Sequence, residues 1–325
     1  MNFRTELPPL KPSFSISHQD NFLFLGSCFT ENIGKKMQAV KFNACINPLG
    51  ITFNPISLHK HLGFSVEKAK NLAISQKDDI YFHSDIHSKF NSQSEESYRE
   101  AIKTNAAVQT DQLTKSNIIF MTYGTAWVYE QLSDQEIVNN CHKLPAKNFT
   151  KKLLSVNEIV SSFKTCLEQL SKTYAKNFKF VFTLSPVRHL KDGWHENQLS
   201  KSTLLLAINS ICEQFPNCYY FPAYEIMMDD LRDYRFYEAD LIHPNKQAIS
   251  YIWKVFQTSY FNEITFQLIG QIEKIHRSIE HRAFHEKSDA HQHFLKQLLK
   301  EAQSLSTAQK LDFQKEIQLI KHKLS

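Results

Sequence analysis

Glycine is scarce, at 7 among 325 residues. Neither G-x-G-x-x-G nor G-x-x-x-x-G-K-S/T occurs, which excludes the two glycine-rich loops that cradle phosphates. No apolar run approaches the length of a membrane span. The first twelve residues carry Arg4, Glu6 and three prolines and hold no apolar signal core. The six cysteines (28, 45, 141, 166, 212 and 218) form no C-x-x-C pair. Their scatter in a chain of this size points to reduced thiols, so a cytoplasmic protein is expected, with export left open. The formal charge of +5 is modest, and no basic patch is interleaved with aromatics, so nucleic acid is not an expected partner.

What is present is an ordinary globular balance, 42% hydrophobic and 22% charged, with 25 phenylalanines to build an aromatic core. The length suits one large α/β domain or two small ones. The most informative stretch is Asn21 to Gly34. Phe22 to Leu25 is an apolar run without a polar break, the mark of a strand buried on both faces. Gly26 ends it, and a helical pattern opens at Thr30 or Glu31 and runs through Met37. A sharp strand-to-helix turn presents Ser27 at the carboxyl edge of a sheet, with unpaired N–H groups behind it. A hydroxyl there can attack a carbonyl while the backbone holds the oxyanion. A capping serine in a Gly-Ser turn fits the same letters.

Further strands are expected at Val40–Ile46, Asn117–Tyr123, Lys179–Leu184 and Cys218–Pro222, with helices over 56–74, 95–109, 155–174, 201–215 and 245–258. A hairpin is expected within 128–148. Short apolar strands alternating with helices predict a five-stranded, mainly parallel sheet with helices on both faces, a three-layer α/β/α arrangement. Ligands sit at the carboxyl ends of such strands. Ser27, Gly50, Gly124, Ser185 and the loop before His243 should therefore share one cleft. From residue 263 to 325 the pattern changes to two or three amphipathic helices, after a first domain spanning 1–262. These helices either pack on the domain or form a homodimer contact. His276, His281 and His285 there read as a solvated face rather than a metal site.

Asp240-Leu-Ile-His243 follows the fifth strand and precedes a helix with Pro244 near its start. Three residues apart, the Asp can fix the imidazole tautomer that leaves the other nitrogen free as a base. A serine at the first strand end and a D-x-x-H near the last give the order Ser, Asp, His of a serine esterase. Arg188 and His189 follow the fourth strand on the expected rim. They serve either to bind an anionic or sugar group or to salt-bridge and cap, and the same pair of readings holds for His142 and Lys143. His83, Asp85 and His87 would share one face of a strand, which is tolerable metal geometry. A cleft-wall or hydrogen-bonding role for His87 is the favoured reading.

The chain resembles the GSCFA-domain family, itself similar to the SGNH (GDSL-like) hydrolases. The resemblance covers roughly residues 1–260. It is carried by Gly26-Ser-Cys-Phe-Thr30, Asn47-Pro-Leu-Gly-Ile-Thr-Phe-Asn-Pro55, Gly124-Thr-Ala-Trp127, Asn140-Cys-His-Lys143, Ser185-Pro-Val-Arg-His-Leu190 and Asp240-Leu-Ile-His-Pro244. Threonine stands where the family name has alanine. The resemblance implies a flavodoxin-like, SGNH-type fold and a metal-independent serine ester hydrolase without a cofactor. It implies Ser27 as nucleophile, His243 as base, Asp240 as its orienting partner, and Ser27 and Gly50 as oxyanion donors. An O-acyl ester is the expected substrate, and the polar strand-end loops point to a carbohydrate or other small polar molecule rather than a long lipid. Acyl transfer with the same triad, or a binding module on a decayed scaffold, are the alternatives. Cys28 beside the serine is a rival nucleophile, less favoured than Ser27. The asparagine of the SGNH Gly-x-Asn-Asp block is missing from Gly124-Thr-Ala-Trp127. Thr125 and Asn54 are candidates to replace it, and Gly124 and Trp127 are candidates to touch substrate.

Overall fold

The computed structural model describes residues 4–281, 283–285 and 287–324. In chain order it forms β1 (Asn21–Gly26), α1 (Cys28–Ala39), β2 (Asn43–Ile46), α2 (Pro55–Leu62), α3 (Val66–Lys70), β3 (Ser75–Lys77), β4 (Ile80–Phe82), α4 (Glu95–Lys115) and β5 (Ile118–Tyr123). It continues with β6 (Trp127–Gln131), β7 (Ile137–Val138), β8 (Phe149–Leu153), α5 (Val156–Tyr174), β9 (Lys179–Leu184), α6 (Trp194–Gln214), β10 (Cys218–Tyr220) and a single turn α7 (Ala223–Glu225). It ends with α8 (Lys246–Tyr260), α9 (Glu263–Glu280), α10 (Asp289–Gln309) and α11 (Gln314–Leu324).

The main sheet has five strands in the order β10-β9-β5-β1-β2, and every pairing is parallel. Its strands are apolar on both sides, because each side carries a helical layer. Phe22, Phe24, Ile118, Phe120 and Val181 face α1 and α8, which contribute Phe29, Ile33, Met37, Ile252 and Phe256. Leu23, Leu25, Ile119, Met121, Phe180 and Phe182 face the other way onto α2, α5 and α6. Counting only the five sheet strands in chain order, the arrangement is 2-1-3-4-5, the flavodoxin-like order. Its direction reverses between β1 and β5, where folds of this order hold their ligands. Ser27 follows β1 at that point.

Several expectations need correction. The second strand begins at Asn43, because Val40 caps α1 and Lys41 turns left-handed (φ 68°) before the chain can extend. The insertion after β5 is a three-stranded antiparallel sheet, β7-β6-β8, rather than a hairpin. His83, Asp85 and His87 do not share a strand face. β4 stops at Phe82, and the next residues form a turn in which His83 Nδ1 accepts from the Asp85 N–H (3.1 Å) and His87 Nδ1 from the Lys89 N–H (3.1 Å). Just before it, Asp78 and Asp79 both take positive φ and close the β3–β4 hairpin.

α9, α10 and α11 bury Leu268, Ile272, Ile275, Leu295, Leu298 and Ile320 against one another, a small core of their own. They join the sheet domain at the connection after α1, where Lys41 Nζ donates to Glu316 (2.7 Å), and at the segment before β1, where Thr265 Oγ1 donates to the Ile16 carbonyl (3.2 Å). His276 is half-buried and pairs with Glu316 (3.1 Å), so it differs from the solvated-face reading. No described helix is long and apolar enough to cross a membrane.

Candidate active site

The turn between β1 and α1 depends on Gly26. Its φ is +145°, and a Cβ there would lie 2.6 Å from both the Thr122 carbonyl oxygen and Thr30 Oγ1. Gly26→Ala is expected to destabilise the protein by about 2–5 kcal/mol, from backbone strain and overpacking together. The urea midpoint reads this, and an unchanged midpoint would mean that the turn relaxes. Ser27 comes next and is the N-cap of α1, with Oγ accepting from the Phe29 N–H (3.3 Å). The Thr30 and Thr122 hydroxyls bond across from α1 to β5 and hold the helix start against the sheet. Ser27 Oγ donates to Ser185 Oγ (3.2 Å), at the end of β9. Ser27 is buried. Burial pushes the neighbouring Cys28 thiol up. Burial thus disfavours the thiolate that would make Cys28 reactive.

Asp240 and His243 form a tight pair beyond the last strand. Asp240 Oδ2 lies 2.6 Å from His243 Nδ1, while Oδ1 accepts the N–H groups of Ile242 (2.9 Å) and His243 (3.0 Å). Those backbone donors, with the imidazole, pull the Asp240 carboxyl down to about 2. With Nδ1–H given to the carboxylate, Nε2 keeps its lone pair as a base. Leu241 between them takes left-handed φ (58°), and Arg188 donates to its carbonyl oxygen (2.7 Å). Arg188 also lies over the rings of Trp194 (5.5 Å) and Tyr237 (5.0 Å). It thus ties the loop after β9 to the Asp-x-x-His turn.

His189 sits between the two halves. Burial lowers it to about 4, and the charges of Lys201 and His243 both bear on it. Its Nε2 is buried without a partner, and its ring meets Phe53 edge-on at 5.4 Å. Among the described residues, no hydrogen bond joins Ser27 to His243; the hydroxyl of Ser27 is turned to Ser185.

The other sequence-derived candidates are placed as follows. Gly50 (φ +92°) packs against His87, whose Cβ would be 2.2 Å from a Cβ on the glycine, and its N–H donates to the Asn47 carbonyl oxygen (2.8 Å). The Gly124 and Thr125 N–H groups both donate to the Phe53 carbonyl oxygen (2.8 and 3.1 Å). Thr125 Oγ1 pairs with Ser200 Oγ (3.2 Å) and accepts from the Trp127 N–H (3.1 Å). Trp127 Nε1 donates to the Glu196 carbonyl oxygen (3.0 Å), so it anchors the start of α6. His142 stacks on Phe82 at 4.6 Å, and its Nε2 meets the carbonyls of His83 (2.9 Å) and Ile86 (3.1 Å). That makes His142 a latch on the His83–His87 turn. Asn54 caps α2 through Ser57 N (2.8 Å).

Sequence reasoning passed over Lys201. It lies on α6 and is buried, and its Nζ donates to the carbonyls of Gly124 (2.9 Å) and Ser185 (2.7 Å). Loss of solvent pulls its ammonium down to about 7. The signal was in the spacing. Lys201, Leu204 and Ile208 recur on one helical stripe, so the lysine falls where the pattern wants an apolar residue.

A family model described as GSCFA family matches residues 21–256. A second, described as GSCFA domain protein, C-terminal domain, matches residues 272–325. No curated protein matches the chain.

Proposed function

We propose that this chain, which belongs to the GSCFA family, is an SGNH-type serine ester hydrolase acting on an O-acyl group of a carbohydrate or other polar alcohol. The observation that carries the reading is the Asp240–His243 pair at 2.6 Å, in a loop whose Leu241 carbonyl is held by Arg188 just past the end of β9 (2.7 Å), the strand end whose Ser185 accepts from Ser27. His243 Nε2 takes the Ser27 proton once the hydroxyl leaves Ser185, and Oγ bonds to the ester carbonyl carbon. The carbonyl electron pair moves onto oxygen. It returns as the alkoxide leaves, taking the proton from His243. Water, deprotonated by His243, then attacks the acyl-enzyme and releases the acid. Arg188 and the aromatic rings beneath it give the rim a surface suited to a polar substrate.

A second reading, a binding module on a hydrolase scaffold, is favoured by the buried Ser27 hydroxyl and its bond to Ser185 (3.2 Å). A fluorophosphonate probe separates the two. The hydrolase reading expects an adduct on Ser27, located by peptide mass spectrometry, and labelling slowed at least about 10²-fold in His243→Ala, within the range for loss of a general base. No adduct on Ser27 would leave the binding module standing.

A further inference from the structure

The donors that the sequence offers to an oxyanion at Ser27 are mostly engaged elsewhere. The Gly50 N–H goes to Asn47, the Thr125 N–H to Phe53, and the Asn54 amide to Ser57 Oγ (3.0 Å). Among the described residues at this edge, Arg188 Nε, His189 Nε2 and Asn47 Nδ2 are buried without a partner, and of these Asn47 lies next to β1. Asn47, directly after β2, is 1% exposed, and its Nδ2 is buried without a partner. Its orientation is fixed. Oδ1 accepts the Gly26 N–H (2.9 Å), and turning the amide over would set NH₂ against that N–H. Nδ2 shares a carbon with Oδ1, so it lies close to the turn that carries Ser27. Asn47 also takes left-handed φ (41°) immediately before Pro48, a combination that backbone sterics disfavour. An unpaired buried donor and a strained backbone meet in one residue. Such a convergence marks a functional position.

We propose that Asn47 Nδ2 is an oxyanion donor for the acyl group on Ser27, filling the role of the asparagine missing from Gly124–Trp127. The inference rests on the reading of Ser27 as nucleophile. As Ser27 Oγ bonds the carbonyl carbon, the C=O pair moves onto oxygen. Asn47 Nδ2–H donates to that oxygen together with an unpaired N–H at the start of α1. The same position receives the phosphonyl oxygen of a fluorophosphonate. There the Oγ–P bond forms, fluoride leaves and the Ser27 proton goes to His243.

The test compares wild type with Asn47→Asp and Asn47→Ser. Asp keeps an oxygen for the Gly26 N–H and places a negative charge where the donor was. Ser removes the amide without adding charge, and its shorter hydroxyl does not reach where Nδ2 stood. The readouts are the rate of Ser27 labelling by a fluorophosphonate, kcat and KM on p-nitrophenyl acetate, and the thermal midpoint. Both variants are expected to label and turn over about 10²–10³-fold more slowly, as for loss of one oxyanion donor, with KM within threefold and Asn47→Asp the slower. If wild-type Ser27 is not labelled, the hydrolase reading falls and takes this inference with it. If Ser27 is labelled in wild type and both variants label within threefold of it, the inference alone is overturned. A labelling loss that tracks a fallen midpoint in both variants assigns Asn47 to the turn only and equally overturns it.

Discussion

Ser27→Ala is expected to lower turnover of p-nitrophenyl acetate by about 10⁴–10⁶, the range for removing a triad nucleophile. The fold should survive, since among the described residues the hydroxyl's one hydrogen bond to backbone is that from the Phe29 N–H (3.3 Å). Loss of an N-cap costs about 1 kcal/mol with alanine and a few tenths with glycine. Ser27→Gly is therefore the paired control. Both variants should be equally inactive, although the lost cap costs the alanine variant more. Activity within tenfold of wild type in either would remove Ser27 from the chemistry. The Ser185 hydroxyl, left without its donor, should have no such effect when it is itself replaced by alanine, because it touches Ser27 only at rest.

Lys201→Met is expected to destabilise the protein in a pH-dependent way. The methionine fills similar volume but leaves the Gly124 and Ser185 carbonyls unpaired, at about 1–3 kcal/mol each. The sign of the pH effect follows from proton counting. Lys201 sits at about 7 in the fold against 10.5 when unfolded. Between those values the unfolded chain binds the extra proton, so this group makes wild type more stable as pH rises, by about 1.4 kcal/mol per pH unit. Below about 7 both states are protonated and the contribution is flat. The stability gap between wild type and Lys201→Met should therefore widen from pH 7 upward. The gap must be read as a difference, because buried tyrosines and cysteines whose protons are held more tightly push the opposite way in both proteins. Chemical denaturation at pH 7, 8 and 9 measures it. A constant gap would mean that the amine titrates like an exposed lysine.

The parts of the fold that were legible in the sequence share one cause. Phe22–Leu25, Ile118–Tyr123 and Lys179–Leu184 are buried on both faces, so their apolar letters run together and mark β1, β5 and β9 without ambiguity. β6 to β8 are half-exposed and interrupted by turns, and their signal weakens accordingly. His83-x-Asp85-x-His87 has the period of a strand, yet its residues are spent on a turn, where side-chain nitrogens accept backbone N–H groups; period alone does not separate these. In the site, Asp240-x-x-His243 was readable because its pairing is local. Lys201 and Asn47 were not, because their partners lie far away in sequence. The lysine answers carbonyls at the ends of β5 and β9, and the asparagine answers an N–H of β1. A lysine within a helix and an asparagine before a proline each have an ordinary local reading, and only the packed sheet edge overrides it.

The place of β1 in the sheet also bears on how the protein is made. β1 is synthesised before the other strands of its sheet and is an inner one, and Phe22 and Phe24 on one of its faces await Ile252 and Phe256 of α8. At about 5–20 residues per second, the more than 200 residues between Ser27 and His243 take about 10–40 s to emerge. Through that interval the aromatic face of β1 has no final cover, and Ser27 lacks the base proposed for it. A nascent chain of this protein is therefore exposed to association, and the triad proposed for it cannot assemble, until nearly the whole α/β domain has left the ribosome.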